Sequence, residues 1–101
     1  MATNSILLSA PLDADGTIML ENTQDAWDEI YLEVSEGDAT AGNLAVTISS
    51  GAAYFAPEEN TYTVGTSTAM LLSGARVVGV KVTADSALDE PVTVRVEFRR
   101  R

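Results

Sequence analysis

The residue types that carry most enzyme chemistry are scarce in this chain. Among its 101 residues there is no histidine and no cysteine, and Lys81 is the one lysine. A serine nucleophile would therefore have no imidazole partner, and no thiolate is available. Adjacent carboxylates such as Glu58 and Glu59 point to opposite faces of a strand, so they do not converge as a glycosidase pair does. We expect a protein that is not an enzyme and binds no cofactor.

The segment LDADGT is the nearest approach to a metal site. Asp13, Asp15 and Gly16 match a fragment of a calcium-binding loop, in which alternating carboxylates supply oxygen ligands. The match ends there, because the twelfth position of such a loop, where a glutamate ligand belongs, is Gln24. A hairpin turn with Gly16 in the left-handed conformation explains the same residues. We predict this turn and no metal site.

Charge is distributed unevenly along the chain. The net charge is −9; residues 1–75 carry eleven acidic and no basic residues, whereas residues 76–101 carry four acidic and six basic ones. The acidic majority repels nucleic-acid backbones and anionic membranes, so neither is an expected partner. Four arginines stand in the last seven positions. They can pair with acids of the same subunit, such as Glu33, or with an acidic surface on an identical neighbour or another protein.

Period-two alternation of apolar residues predicts a β protein. It is clearest in ARVVGVKVTA and PVTVRVEFR and recurs in GTIMLE, EIYLEVS and NLAVTIS; AAYFA and TAMLLS are weaker. The turn sequences DADG, SEGDATAG, SSG, PEEN and LSG separate these segments at intervals typical of sandwiches. We predict one all-β domain over residues 1–101, an antiparallel β-sandwich, jelly-roll or immunoglobulin-like, with seven to eight strands. Its last two strands would form a hairpin or a Greek-key arm.

Trp27 and Tyr31 are candidate anchors for a partner. In WDEIYLEV they share strand parity with Glu29 and Glu33, which puts them on the polar face. Exposed aromatic residues beside charges are typical of interfaces and of sugar-stacking platforms. A β-bulge near Asp28 would instead return Trp27 to the core.

The two chain ends are further candidate contact segments. The apolar run in SILLS is too short for a signal peptide or a membrane span, so it is either a core strand or an arm that pairs with a neighbouring subunit's sheet. Arg100 and Arg101 extend past Phe98, the last residue of the alternating pattern. We expect the ends at 1–8 and 99–101 to be flexible or to bind a partner.

The runs TYTVGTSTAMLLSGARVVGVKVTADS and PVTVRVEF resemble the C-terminal half of the capsid cement or decoration proteins of tailed bacteriophages. A Thr/Val strand, a Gly-Thr-Ser turn, an apolar strand ending in Ser-Gly and a Val-alternating strand carry the resemblance. It implies a β-sandwich that docks on the outer face of a capsid, often as a trimer, and stabilises the shell. The implied partners are the major capsid protein or another virion protein and identical copies, on a virion surface after synthesis in the host cytoplasm.

Three functions are thus open. The first is a capsid cement or decoration protein, and the second is a phage neck or tail component. The third is a carbohydrate-binding module in which Trp27, Tyr54 and Tyr62 form a stacking platform. For the first, the expected partner-contacting residues are Trp27, Tyr31, Arg95, Arg99, Arg100 and Arg101.

Overall fold

The computed structural model describes residues 5–21, 27–50, 54–55 and 60–100, and all regular structure in this part of the chain is β-strand. The described residues form nine strands, one more than the seven to eight predicted. The difference arises because two short strands, β5 and β6, pair side by side with β4 where one longer strand would fit. The strands are β1 Ser5–Leu12, β2 Thr17–Glu21, β3 Trp27–Ser35, β4 Asn43–Ser49, β5 Tyr54–Phe55, β6 Thr61–Thr63, β7 Met70–Val77, β8 Gly79–Ala84 and β9 Val92–Arg99.

The strands form two antiparallel sheets that enclose the core. Sheet A has the order β1-β9-β3-β7, and sheet B has the order β2-β8-β4, with both β5 and β6 pairing with β4. The chain crosses between the sheets at every connection except those among β4, β5 and β6. This is the strand order of a jelly roll. The predicted β-sandwich is confirmed, and the order differs from that of an immunoglobulin domain, whose sheets hold strands ABED and CFG.

The core is built from the apolar positions of the alternating segments. Each of these side chains leaves water as its strand packs against the opposite sheet, and a fully buried aliphatic residue contributes about 1.5 to 3 kcal/mol relative to an exposed one. In β9 the outward neighbours are all polar, as period-two alternation predicts. Buried members of the predicted positions include Ile30, Leu32, Leu44, Val46, Val80, Val82, Val92, Val94, Val96 and Phe98.

The crossing from β7 to β8 differs from the prediction. The sequence LSG predicts a turn at Ser73 and Gly74, but β7 continues through both residues to Val77 and the chain crosses at Val78. Val78 is buried, and its N–H donates to the carbonyl of Ser49 at 2.9 Å, so the crossing leaves this donor satisfied. The pairing of β7 with β3 outweighs the local turn preference of Ser-Gly.

The turn in LDADGT is present but is built differently from the prediction. The Gly16 N–H donates to the Asp13 carbonyl at 3.0 Å, and the left-handed residue is Asp15, with φ of 57°, rather than Gly16. Glycine is required at position 16 because a Cβ there would lie 2.9 Å from the Asp13 carbonyl oxygen. This turn joins β1 and β2, which lie in different sheets, so the predicted hairpin at LDADGT is wrong. The β8–β9 connection also joins different sheets, so it is a Greek-key arm and not a hairpin.

Candidate interaction surface

The solvent-facing side of sheet A, which we call the outer face of sheet A, collects most of the candidate residues. Its strand register aligns outward side chains in cross-strand rows. The face combines one tyrosine, two leucines, two arginines and three glutamates on a four-stranded sheet. From one end, the rows are Ser5, Arg99 and Glu29; then Leu7, Glu97, Tyr31 and Leu71; then Ser9, Arg95 and Glu33.

Trp27 is not part of this face. Its side chain is 1% exposed, and its ring centroid lies 6.2 Å from that of Phe98 with the planes inclined at 53°. The register of β3 against β7 shifts between Trp27 and Glu29, and such a bulge reverses the parity of Trp27 relative to Tyr31. The interpretation of Trp27 as an exposed interface anchor is therefore wrong, and the alternative that an irregularity near Asp28 returns Trp27 to the core is confirmed.

Two of the terminal arginines lie over aromatic rings of their own subunit. The guanidinium carbon of Arg99 is 4.8 Å from the ring centroid of Tyr31, and its Nε forms an ion pair with Glu97. The guanidinium carbon of Arg100 is 4.4 Å from the ring centroid of Trp27. Cation–π contacts at exposed sites contribute about 0.5 to 1 kcal/mol. The Arg99 side chain is thus positioned by its neighbours while 39% of it stays exposed.

Arg95 lies on the same face, two rows from Arg99. It is directly opposite Glu33 of β3, the acid that the sequence suggested as a partner. At about 3.3 Å per residue the two arginines are ~13 Å apart along β9. Arg101 lies outside the described residues. The structure therefore gathers two of the four predicted arginines on the outer face of sheet A, together with Tyr31.

The two chain ends that we expected to be flexible or to bind a partner, 1–8 and 99–101, lie partly within sheet A. Residues 5–8 belong to β1 and pair with β9, so SILLS is a strand of its own subunit. Arg99 is the last residue of β9 and pairs with Ser5. Residues 1–4 lie outside the described part of the chain. β1 is an edge strand of sheet A in this arrangement.

The loops at one end of the sandwich carry no basic residue. Loops 13–16, 36–42, 64–69 and 85–91 meet where β1, β3, β6 and β8 finish, and we call this the acidic end. The C-terminal end of β9, with its arginines, lies at the opposite end of the molecule. The described loops at the acidic end thus carry negative charge from both the N-terminal and the C-terminal parts of the sequence. The carboxylates of the acidic end are Asp13, Asp15, Glu36, Asp38, Asp85, Asp89 and Glu90.

Two of these carboxylates fasten the loops of the acidic end to one another. Asp89 accepts hydrogen bonds from the hydroxyl and the N–H of Thr40 and from the N–H of Ala41, and these bonds lower the pKa of Asp89 to about 2. Asp85 accepts from the side-chain amide and the N–H of Asn43 at 3.0 and 3.1 Å, which holds the pKa of Asp85 below its usual range. Both are therefore ionised at neutral pH.

An open depression of about 500 Å³ lies beside the acidic end. In it the Tyr62 hydroxyl donates to Glu36 Oε2 at 2.6 Å, and the Gly65 N–H donates to the same oxygen at 3.0 Å. These bonds lower the pKa of Glu36, while burial and the hydrogen bond to Glu36 raise the pKa of Tyr62 to about 12. Glu36 is thus an ionised acceptor that holds a loop contact, and Tyr62 is a neutral donor. The lining is Glu33, Val34, Glu36, Tyr62, Gly65, Thr66, Ser67, Thr68 and Ala69.

The aromatic platform predicted for sugar stacking is not formed by two of its three rings. Trp27 is buried, and Tyr62 is 4% exposed with its hydroxyl bonded to Glu36. The side chain of Tyr54 lies outside the described residues. A ring must present its face to solvent to stack on a sugar, so the platform interpretation is wrong for Trp27 and Tyr62.

Sequence reasoning missed three large apolar side chains at the surface. Leu7, Met19 and Leu71 are 51%, 57% and 59% exposed. Each is the middle residue of three consecutive apolar residues, in ILL, IML and MLL. Such a triplet within a strand cannot face inward throughout, because successive side chains point to opposite sides. That signal was available in the sequence.

Two further features, a cluster of metal ligands and a membrane-spanning helix, are absent from the described residues. Within these ranges no three acidic side chains are grouped so that they could hold a metal ion. The same part of the chain contains no helix with the length and apolar character of a membrane span.

The comparisons place the chain among small β-sandwiches. No family model matches it, and no curated protein does. It is similar to the SPBc2 prophage-derived protein YomS, with a TM-score of 0.61 and 14% identity over 97% of this chain and 96% of that one. It is similar to a chain of the Bacillus endospore appendages, a family of disulfide-linked pili, with a TM-score of 0.52 and 16% identity. That match covers 97% of this chain and 87% of the appendage chain. It is also similar to the Yersinia pseudotuberculosis-derived mitogen, with a TM-score of 0.52 and 9% identity over 97% of this chain and 86% of the mitogen. At such identities the likeness shows the fold alone.

Proposed function

We propose that this chain is a structural protein of a virion, a capsid cement or decoration protein that binds the outer surface of a capsid and stabilises the shell. Its partner is the major capsid protein or another virion protein. The fold likeness to a prophage-derived protein and to a pilus protein supports a structural role. In this proposal the protein carries out no reaction, and its surface is its functional site.

The observation that carries the proposal is the composition of the outer face of sheet A. Tyr31, Arg95 and Arg99 lie there with two exposed leucines. Aromatic and arginine side chains dominate binding energy at protein interfaces, because they bury large areas and because the guanidinium makes several directed hydrogen bonds. Arg99 already contacts Tyr31 and Glu97 in the free protein. Its side chain therefore loses less conformational entropy on binding than that of an arginine extended into water.

The charge distribution favours one binding orientation. The outer face of sheet A carries Arg95 and Arg99 beside three glutamates, whereas the loops of the acidic end contain seven carboxylates and no base, so an acidic partner is repelled more strongly by the acidic end. The outer face of sheet A then contacts the shell, while the acidic end stays in solvent. Many such contacts on a repeating lattice give firm attachment even when each is weak.

A substitution pair tests this assignment. Arg95→Gln together with Arg99→Gln removes both cations from the outer face of sheet A, and we expect at least about tenfold weaker binding to capsids that lack the protein, equivalent to about 1.4 kcal/mol. Lys81→Gln is the matched control, because it removes one cation from β8 on the other sheet. Co-sedimentation with capsids measures occupancy, and thermal unfolding checks that each variant is folded. Equal occupancy of the pair and the wild type would refute the assignment.

A neck or tail component is the second candidate. The fold likeness to a pilus protein favours it, since a pilus, like a phage tail, is an elongated assembly. The same surface would serve in such an assembly, so the two candidates differ in copy number. A shell component is present in hundreds of copies per particle, whereas a connector is present in few.

A further inference from the structure

Sheet A ends in two edges that carry nearly the same sequence. β1 pairs with β9 and β7 pairs with β3, and among the described residues neither edge strand has a second partner in the sheet. Residues 5–9 on β1 read SILLS, and residues 69–73, which lead into β7, read AMLLS. Neither tract contains a charged residue or a proline. Each edge therefore presents unpaired backbone groups beside an apolar tract.

Natural sheets usually protect such edges with lysine, proline or a bulge, because an open edge recruits another strand. In sheet A, Pro11 of β1 and the register shift of β7 beyond Ser73 both lie outside the two apolar tracts. Here Leu7 and Leu71 point outward where a polar residue would be expected, and more than half of each is exposed. The inward neighbours Ile6, Leu8 and Met70 are only partly covered by their own subunit. A strand added at either edge would cover these side chains as well as the backbone groups.

The two edges match in direction and in register. Because sheet A has four antiparallel strands, β1 and β7 run in opposite directions, so the β7 edge of one copy can pair antiparallel with the β1 edge of the next. Leu7 and Leu71 lie in the same cross-strand row. A second copy placed beside the first, without a shift along the strands, brings Leu71 opposite Leu7 and Met70 opposite Leu8.

We propose that copies of this chain associate edge to edge through sheet A, with residues 69–73 of one copy pairing with residues 5–9 of the next. Each junction makes main-chain hydrogen bonds and packs Leu71 against Leu7 on the outer face of sheet A. On the inner face it packs Met70 against Leu8, which buries two side chains that are only partly covered in the single subunit. Both tracts are uncharged, so no like charges oppose each other at the junction despite the net charge of −9.

The contact is heterologous, because it joins two different surfaces of the subunit. Every added copy leaves one β1 edge and one β7 edge free, so the array either closes into a ring or grows as a filament. The proposal does not depend on attachment to a capsid, since both partners are this chain. Association of the purified protein therefore tests it separately from the proposed function.

A pair of introduced cysteines reports the junction directly, because the chain contains none. Positions 7 and 71 are three strand spacings apart within one copy, about 14 Å, which is too far for a disulfide. Across the proposed junction their Cβ atoms are about 4.5 to 5.5 Å apart, and a local shift of about 1 Å brings them to the separation of a disulfide. We expect Leu7→Cys with Leu71→Cys to give a ladder of covalent multimers on mild oxidation. The matched control is Leu7→Cys with Met19→Cys, which puts an equally exposed thiol on β2 of the other sheet.

Leu7→Lys tests the same junction without cross-linking. A lysine on the β1 edge must be desolvated to form the junction, and we expect at least about tenfold weaker association in sedimentation velocity runs over a range of concentrations. The added positive charge lowers the net repulsion of this acidic chain, so repulsion cannot explain the loss. Met19→Lys is the control and should associate as the wild type does. A wild type that stays monomeric, an equally strong ladder from the control pair, or equal effects of the two lysines would overturn the proposal.

Discussion

Replacing Trp27 with alanine tests whether the indole is an interior residue or a surface anchor. The side chain is 1% exposed and packs against Phe98. An aromatic side chain buries about 150 to 250 Å², which at about 25 cal/mol per Å² corresponds to roughly 4 to 6 kcal/mol. The unfolded chain already covers part of that area, which lowers the figure, and the cavity left by the ring raises it again. We expect Trp27→Ala to reduce the free energy of unfolding by about 4 kcal/mol.

Denaturant and thermal unfolding followed by far-UV circular dichroism measure this loss without relying on tryptophan fluorescence. For a domain of this size, 1 kcal/mol corresponds to roughly 4 to 8 °C, so Tm should fall by about 15 to 30 °C. Met19→Ala is the control, because this exposed apolar side chain on β2 should change stability by no more than about 0.5 kcal/mol. A loss below about 1 kcal/mol for Trp27→Ala would mean that the ring is at the surface, as strand parity alone implies, and would refute the bulge.

Three further outcomes are expected. Gly42→Ala should cost about 3 kcal/mol in denaturant unfolding, because Gly42 has φ of 134° and a Cβ there would lie 2.6 Å from the Leu88 Cα; a change below about 1 kcal/mol would contradict the close approach. Burial and the hydrogen bond to Glu36 raise the pKa of Tyr62 to about 12, so the stability linked to its neutral hydroxyl is fully present below about pH 10 and is lost as the pH rises through about 12. Tyr62→Phe should lower stability by about 1 kcal/mol at pH 7 and weaken the alkaline decline in Tm; an unchanged decline would exclude this bond as its source. The pKa of Asp89 is lowered to about 2, so the stability it contributes is present above about pH 4 and is lost as the pH falls toward 2; Asp89→Asn should flatten that acid decline, and an unaltered acid melting profile would argue against the loop clamp.

The sandwich could be predicted from the sequence because its physical cause is local. A strand with one buried face must alternate, and β9 and β8 alternate without interruption, so their inward valines are recognisable from the sequence alone. The jelly-roll order of the strands, in contrast, could not be predicted from local sequence. It depends on which strands meet across the sheets, and no short segment records that choice.

The position of Trp27 shows where strand parity fails. The residues from Trp27 to Tyr31 read as one regular strand, but the register shift beside Asp28 turns the first of them inward. The shift lies in the pairing with β7, where the three residues 74–76 stand opposite Asp28, and β7 ends one residue before the chain crosses to sheet B at Val78. A bulge that accommodates a distant crossing leaves no mark in the residues around it, so both orientations were open from sequence.

The turn predicted at LSG failed for a related reason. Ser73 and Gly74 have turn preferences, but both lie within β7, and the hydrogen bonds of sheet pairing outweigh the local preference. The exposed Leu7 and Leu71 are the opposite case, since their apolar triplets were readable. Their place in one row at the two edges of sheet A required the fold.

The number of copies of this chain in a purified native particle is the measurement that tests the proposed structural role most directly. Quantitative mass spectrometry with isotope-labelled peptides, scaled to the major capsid protein, gives that number. A protein that covers a shell through the outer face of sheet A should be present in hundreds of copies per particle, and the pair Arg95→Gln and Arg99→Gln should reduce that number. Absence of the chain from particles made by the cells that express it would contradict a virion role.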